Sequence, residues 1–80
     1  MYIKDKDINW IIHNLIYKQG TFISDKCLLF PNFKIEGKIN KINIINNEII
    51  FYVNVKSKNN KLLKIGSNIP ELQFIENEKN

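Results

Sequence analysis

The sequence has no arginine, one cysteine, one histidine, three glycines and two prolines in 80 residues. A single cysteine excludes an intramolecular disulfide and a zinc site built from several cysteines. Without arginine, the chain lacks the forked side chain that reads guanine or clamps a phosphate. No apolar run approaches the roughly 20 residues that a membrane-spanning helix requires. Because the N-terminus is polar and has no apolar signal-peptide region, we expect a cytoplasmic protein without a membrane partner.

Size and charge narrow the class of protein further. With 80 residues, 44% of them apolar, the chain predicts a single domain, 1–80, near the lower limit for an unaided hydrophobic core. The net charge is +4, and every basic residue is lysine. Positive charge favours anionic partners such as nucleic acid. Heavy use of lysine, asparagine and isoleucine is also what AT-rich codon usage produces, and we give that explanation more weight.

The stretch 33–55 predicts a long antiparallel hairpin with Asn46-Asn47 at its tip. Apolar residues alternate with polar ones on both sides of the tip, as expected for strands with one buried face. A two-residue turn at the asparagines pairs Ile44 with Ile49 on that buried face.

The alternation changes phase partway along the first strand. One extra residue at 40–41 restores it, which indicates a β-bulge. With that correction Ile39 lies opposite Val53. The same register predicts a cross-strand charge pair between Glu36 and Lys56 on the other face.

A helix is predicted at about 7–18, before the hairpin. Asp5 or Asp7 would cap its N-terminus, and Gly20 would end it. Isoleucines and leucines at helical spacing form a core-facing stripe, made of Ile8, Ile11, Ile12, Leu15 and Ile16.

The rest of the chain predicts short strands separated by polar turns. A β-rich region spans 21–75, with strands at 21–23, 27–30, 61–65 and 72–75, a further edge strand at 2–3, and a polar tail at 76–80. We therefore predict an α+β domain in which an N-terminal helix packs on a small, strongly bent, five-stranded antiparallel sheet or barrel.

The run Ile35-Glu36-Gly37-Lys38-Ile39, together with the element order, resembles the Sm-like family, which includes the bacterial RNA chaperone Hfq. In that family a hydrophobic-x-Gly-x-hydrophobic step occupies the second strand. The resemblance implies a bent β-barrel, ring assembly and RNA binding. The later strand reads Leu62-Leu63-Lys64-Ile65-Gly66 in place of the chaperone's Tyr-Lys-His signature. SH3-like barrels fit the strand pattern about equally well.

The first candidate binding surface is on the helix. At about 100° per residue, Trp10, His13 and Tyr17 fall together on the side opposite the apolar stripe. These aromatics either cap a second small cluster of the core or form an exposed patch that docks a partner, a role in which Trp and Tyr are favoured. Because so short a chain has little material to cover two helix faces, we favour a protein partner or self-association.

The second candidate surface is the outward side of the hairpin and the following strand. It combines lysines with one aromatic residue, as single-stranded nucleic-acid sites do, at Lys34, Lys38, Tyr52, Lys56, Lys58, Lys61 and Lys64. The alternative explanation, which we favour, is a solvated face whose lysines discourage edge-to-edge aggregation.

No pattern in the sequence indicates catalysis. His13 has no local nucleophile or metal-ligand partner, and Cys27 lies in an apolar run. We expect no enzyme activity, cofactor, metal or small-molecule substrate. The hypothesis we favour is a cytoplasmic adaptor or inhibitor, typical of a phage or mobile element, that docks a macromolecule through the Trp10 face; the alternative is an Sm-like or SH3-like nucleic-acid-binding protein.

Overall fold

The computed structural model describes residues 1–77. In chain order these form a 3-10 turn Ile3–Asp5, helix α1 Ile8–Leu15, strands β1 Gln19–Ser24, β2 Phe33–Ile45 and β3 Glu48–Val55, a 3-10 turn Lys56–Lys58, and strands β4 Lys61–Gly66 and β5 Gln73–Glu76. The strands make one antiparallel sheet in the order β4-β3-β2-β1-β5. The predicted α+β class, one helix followed by a five-stranded antiparallel sheet, is confirmed, and the sheet is not closed into a barrel.

Helix α1 starts with a side-chain cap. The Asp7 carboxylate accepts hydrogen bonds from the backbone N–H groups of Asn9 and Trp10, at 3.1 and 3.4 Å. These donors have no acceptor within the helix itself. Of the two predicted capping residues, Asp7 therefore does the capping.

The helix ends at Leu15, about one turn earlier than predicted. The reason is a competing interaction with β2: the Tyr17 N–H donates to the Ile39 carbonyl at 2.8 Å, and the Ile39 N–H donates to the Lys18 carbonyl at 2.9 Å. Tyr17 has a positive φ of 65°, which no helix accommodates. Pairing with the sheet thus replaces the last predicted helical turn.

The β2–β3 hairpin has the predicted form. Asn46 and Asn47 have φ values of 50° and 64°, as a two-residue type I′ turn requires, and asparagine tolerates that conformation well. Ile44 lies opposite Ile49 across the turn, as expected.

The predicted bulge is also confirmed. Ile39 pairs with Val53, and the next pair is Lys41 with Tyr52, so that Asn40 is the extra residue. Because Asn40 has no partner on β3, the apolar residues before and after it lie on the same face of the sheet.

Strand β2 is shared between the two halves of the sheet. Its first part, 33–38, pairs with β1, and its second part pairs with β3 from Lys38 onward. The predicted pair between Glu36 and Lys56 is therefore wrong, because β2 has exchanged neighbours by that point. The Glu36 carboxylate instead accepts a hydrogen bond from the Asn77 side chain at 3.2 Å.

The core lies between α1 and the concave side of the bent sheet. Phe22 is fully buried at its centre, with ring centroids 4.9 Å from Phe51 and 4.8 Å from Phe74. The other buried apolar residues are Ile3, Ile11, Leu15, Ile39, Ile49, Val53, Val55, Ile65 and Leu72. Within the predicted helix stripe, Ile11 and Leu15 are buried, Ile12 and Ile16 are half-buried, and Ile8 is 41% exposed.

The N-terminus runs along the edge of β5 that does not pair with β1. Met1 exchanges two backbone hydrogen bonds with Phe74, and Tyr2 forms an isolated bridge with Gln73. The predicted edge strand at 2–3 is thus reduced to this single bridge, since Ile3 is already in a 3-10 turn. The predicted tail at 76–80 begins too early, because Glu76 is the last residue of β5; its residues 78–80 lie outside the described residues.

The predicted strand at 27–30 is wrong. These residues lie in the connection between β1 and β2 and pair with no other strand of the described chain. No helix within residues 1–77 is both long and apolar enough to cross a membrane.

Candidate protein-binding surface

The three aromatic residues predicted on the helix do not share one helical face. Trp10 and His13 are on α1, whereas Tyr17 follows its end in a non-helical conformation. All three are exposed, Trp10 by 38% and Tyr17 by 66%. The Lys6 ammonium lies 4.7 Å from the Trp10 ring centroid. A different lysine, Lys38, has its ammonium 6.0 Å from the Tyr17 ring centroid. Since Tyr17 departs from helical geometry, its predicted alignment with Trp10 does not apply.

Trp10 lies at the border of a shallow groove against β5. The groove has a volume of about 390 Å³. An ion pair between Lys18 and Glu76, 3.3 Å apart, involves two of the residues lining it. His13 is partnered within the helix, with Nδ1 2.7 Å from the Asn9 carbonyl oxygen. The indole is therefore partly packed on its own fold.

The outward face of the sheet contains only some of the predicted lysines. Side chains alternate between the two faces of a strand, so positions opposite the buried residues Phe51 and Val53 face the core. Lys61 pairs with the buried Val55, and its assignment to the outward face is wrong. Lys56 and Lys58 belong to a 3-10 turn and not to the sheet.

Tyr52 instead forms a row with two lysines. It pairs with Lys41 on β2 and with Lys64 on β4. Their ammonium groups lie 5.5 and 5.7 Å from the Tyr52 ring centroid. Lys41 was absent from the predicted set, although the register of the Asn46-Asn47 turn already places it beside Tyr52. Lys34 and Lys38 are exposed on the same side of β2.

The most exposed apolar residues lie in the β1–β2 connection, which the sequence interpretation missed. Leu28 is 94% exposed, Leu29 is 84% exposed and Phe30 is 62% exposed. We refer to residues 28–30 as the apolar loop. The one signal for it in the sequence is that the run stands between two breaker pairs, Asp25-Lys26 and Pro31-Asn32.

Beside the apolar loop lies a groove of about 420 Å³, which we call the β2–β4 groove. The start of β2, at 33–35, lines one side of the groove, and the part of β4 at 63–65 lines the other. The groove is lined by Phe30, Asn32, Phe33, Lys34, Ile35, Leu63, Lys64 and Ile65. Most of these residues are apolar, and the charged ones among residues 1–77 are both lysines. Phe30 belongs both to the groove and to the apolar loop.

Within residues 1–77, no group of three or more histidine, cysteine or carboxylate side chains is arranged to hold a metal ion. The hydrogen bond from the Lys4 ammonium to the Glu71 carboxylate, at 2.6 Å, raises the pKa of Lys4. This pair lies on the surface and joins the N-terminal turn to the segment before β5.

The fold and its surfaces define a small α+β domain with one N-terminal helix on a bent antiparallel sheet. Comparisons with protein-family models, with curated protein sequences and with solved structures give no match for this chain.

Proposed function

We propose that this protein is a non-enzymatic binding protein, an adaptor or inhibitor, that docks another protein through the apolar loop and the β2–β4 groove. The observation that carries the proposal is the exposure of the three consecutive apolar side chains Leu28, Leu29 and Phe30 at the edge of an apolar groove. Contiguous exposed apolar surface of this kind is typical of interaction sites.

The Trp10 face is the second surface for a protein partner. It supports docking less strongly, because the indole is only 38% exposed and lies against Lys6. The leucines of the apolar loop expose more than twice that fraction of their surface. We therefore move the predicted interaction site from the helix to the β1–β2 connection.

Site-specific photo-crosslinking tests the proposal in cells that express the protein. A photoreactive phenylalanine analogue at position 29 should give a discrete cross-linked protein band, and the same analogue at position 58, which is also exposed, should not. Replacing Leu28 and Phe30 by serine should remove the band while leaving the circular dichroism spectrum unchanged. A band of twice the chain's own mass would indicate self-association, and equal labelling from both positions would refute the proposal.

A second candidate function, nucleic-acid binding, is favoured by the row formed by Lys41, Tyr52 and Lys64. The lysines would attract phosphates, and the tyrosine would stack on a base once a lysine moves off its ring. This candidate predicts binding to single-stranded oligonucleotides that weakens steeply with added salt. Double replacement of Lys41 and Lys64 by glutamine should abolish it. Binding that is absent at low ionic strength would dismiss this candidate.

We also propose that the domain is a small β-fold of the Sm-like or SH3-like kind. The support is the strand order, with β2 bent and shared between β1 and β3, and with Gly37 buried near the exchange of neighbours. An experimental structure of the chain, compared with these folds by strand connectivity, tests this proposal.

A further inference from the structure

The β2–β4 groove lies between two strand edges that lack neighbours within the described chain. Strand β4 pairs with β3 alone. The first part of β2 pairs with β1 on one side, but its pairing with β3 begins only at Lys38, so no strand of residues 1–77 pairs with the other side of 33–36. Unpaired strand edges present backbone N–H and C=O groups that can pair with an added strand.

The other edge of the sheet differs in this respect. At β5, Met1 and Tyr2 already pair with Phe74 and Gln73. A strand added from outside would have to displace these residues, whereas no displacement is needed at β4. The β4 edge is therefore the favoured place for strand addition.

The charge of the groove indicates what such a strand would contain. Lys34 and Lys64 are exposed and line the groove, and no carboxylate of residues 1–77 lines it. The side chains of a strand alternate between two directions. Every second side chain of an added strand would fill the apolar space between Phe33, Leu63 and Ile65, and the intervening ones would meet the lysines.

We propose that the β2–β4 groove binds an extended segment of a partner protein in which apolar and acidic residues alternate, and that this segment pairs with the free edge of β4. The inference rests on the proposed function and specifies the partner's chemistry. A second copy of this chain is a poorer occupant. Antiparallel pairing of two β4 edges would bring the Lys64 side chains of both copies close together on one face of the sheet, and like charges across strands are destabilising.

The probe for this proposal is the heptapeptide Glu-Val-Glu-Val-Glu-Val-Glu-amide, labelled with fluorescein at its N-terminal amine, titrated with the protein and followed by fluorescence anisotropy. We expect saturable binding in the micromolar range, and no binding of the matching peptide with lysine in place of glutamate. An absence of saturation up to about 1 mM, a binding energy near 4 kcal/mol, would overturn the proposal.

Backbone methylation of the peptide tests whether a strand is added. Successive residues of a strand direct their N–H groups to opposite edges. N-methylation of one set of residues, either the valines or the glutamates, should therefore abolish binding, whereas N-methylation of the other set should leave it intact. Equal effects of the two methylated sets would show that the peptide does not pair with β4, and would overturn the proposal.

Charge reversal locates the site. Lys34→Glu and Lys64→Glu should each weaken peptide binding by about tenfold, whereas Lys56→Glu, an equal change of net charge outside the groove, should change it by less than about twofold at physiological salt. Equal effects of all three variants would indicate non-specific attraction and overturn the proposal. If the peptide fails to bind but the cross-link at position 29 is lost when Leu28 and Phe30 are replaced, the proposed function stands and only the strand-addition inference falls.

Discussion

Gly37→Ala is the sharpest test of how this sheet is built. Gly37 is buried in β2 where the strand exchanges β3 for β1 as its neighbour. A Cβ atom there would lie 2.8 Å from Val53 Cγ1 and closer still to the Asn54 carbonyl oxygen. That oxygen belongs to a strand held by pairing on both sides, so it cannot move away at low cost. The methyl group must therefore displace β2 or β3.

The expected cost follows from two opposing terms. Overpacking a closely packed site costs about 1–3 kcal/mol, and replacing glycine by alanine returns about 0.4–1 kcal/mol by restricting the unfolded chain. Mid-range values of about 2 and about 0.7 kcal/mol give a net loss of stability of about 1.3 kcal/mol, or a fall in Tm of roughly 5–10 °C for a domain of this size. Urea denaturation followed by far-ultraviolet circular dichroism measures this loss directly.

Gly66→Ala is the matched control. Its added Cβ would meet the carboxylate of Glu48, the far end of a flexible side chain that can turn away. We expect its stability to stay within about 0.5 kcal/mol of the wild-type value. If Gly37→Ala is as stable as wild type, or if the two variants lose the same stability, the close approach of β2 and β3 at Gly37 does not govern the fold.

Three other changes test separate parts of the fold. Asp7→Ala removes the cap of α1 and should cost about 1 kcal/mol in urea denaturation, whereas Asp5→Ala should cost almost nothing because Asp7 is the residue that accepts the two N–H groups. Phe22→Ala empties the centre of the aromatic cluster and should cost about 3–5 kcal/mol; a smaller loss would mean that the core collapses around the gap. Lys4→Gln removes the ion pair with Glu71, which raises the pKa of Lys4. The stability that this ion pair contributes to the wild type should be present below the ordinary lysine pKa, and it should disappear as the pH rises through the raised pKa. An unchanged difference in Tm between Lys4→Gln and wild type at strongly alkaline pH would contradict that origin.

The sequence predicted the hairpin well because its determinants are local. The alternation of apolar residues and the Asn46-Asn47 turn fix the register, and the phase change fixes the bulge at Asn40. The helix prediction was less accurate at its end. Leu15 is the last helical residue because Tyr17 and Lys18 pair with β2, a strand that is distant in the chain.

The candidate sites were harder to predict, for two different reasons. Lys61 was assigned to the wrong face of the sheet, although alternation along β4 alone places Lys61 and Lys64 on opposite faces. The pairing of Tyr52 with Lys41 follows from the turn register, whereas its pairing with Lys64 depends on the strand order. The only local signal for the exposure of the apolar loop was its two flanking breaker pairs, and the same run of residues would also make a buried strand.

The sequence by itself determined the fold class, the hairpin and its bulge, since each depends on side-chain periodicity or on turn residues that act over a few positions. The tertiary structure alone decided that β2 bends away from β3 to pair with β1. That bend brings Phe33 and Ile35 opposite Leu63 and Ile65, opens an apolar groove between two free edges, and leaves residues 28–30 exposed beside it. Such an arrangement depends on which distant strands pair and where each pairing stops, and the energetic balance that sets those limits is spread over the whole sheet.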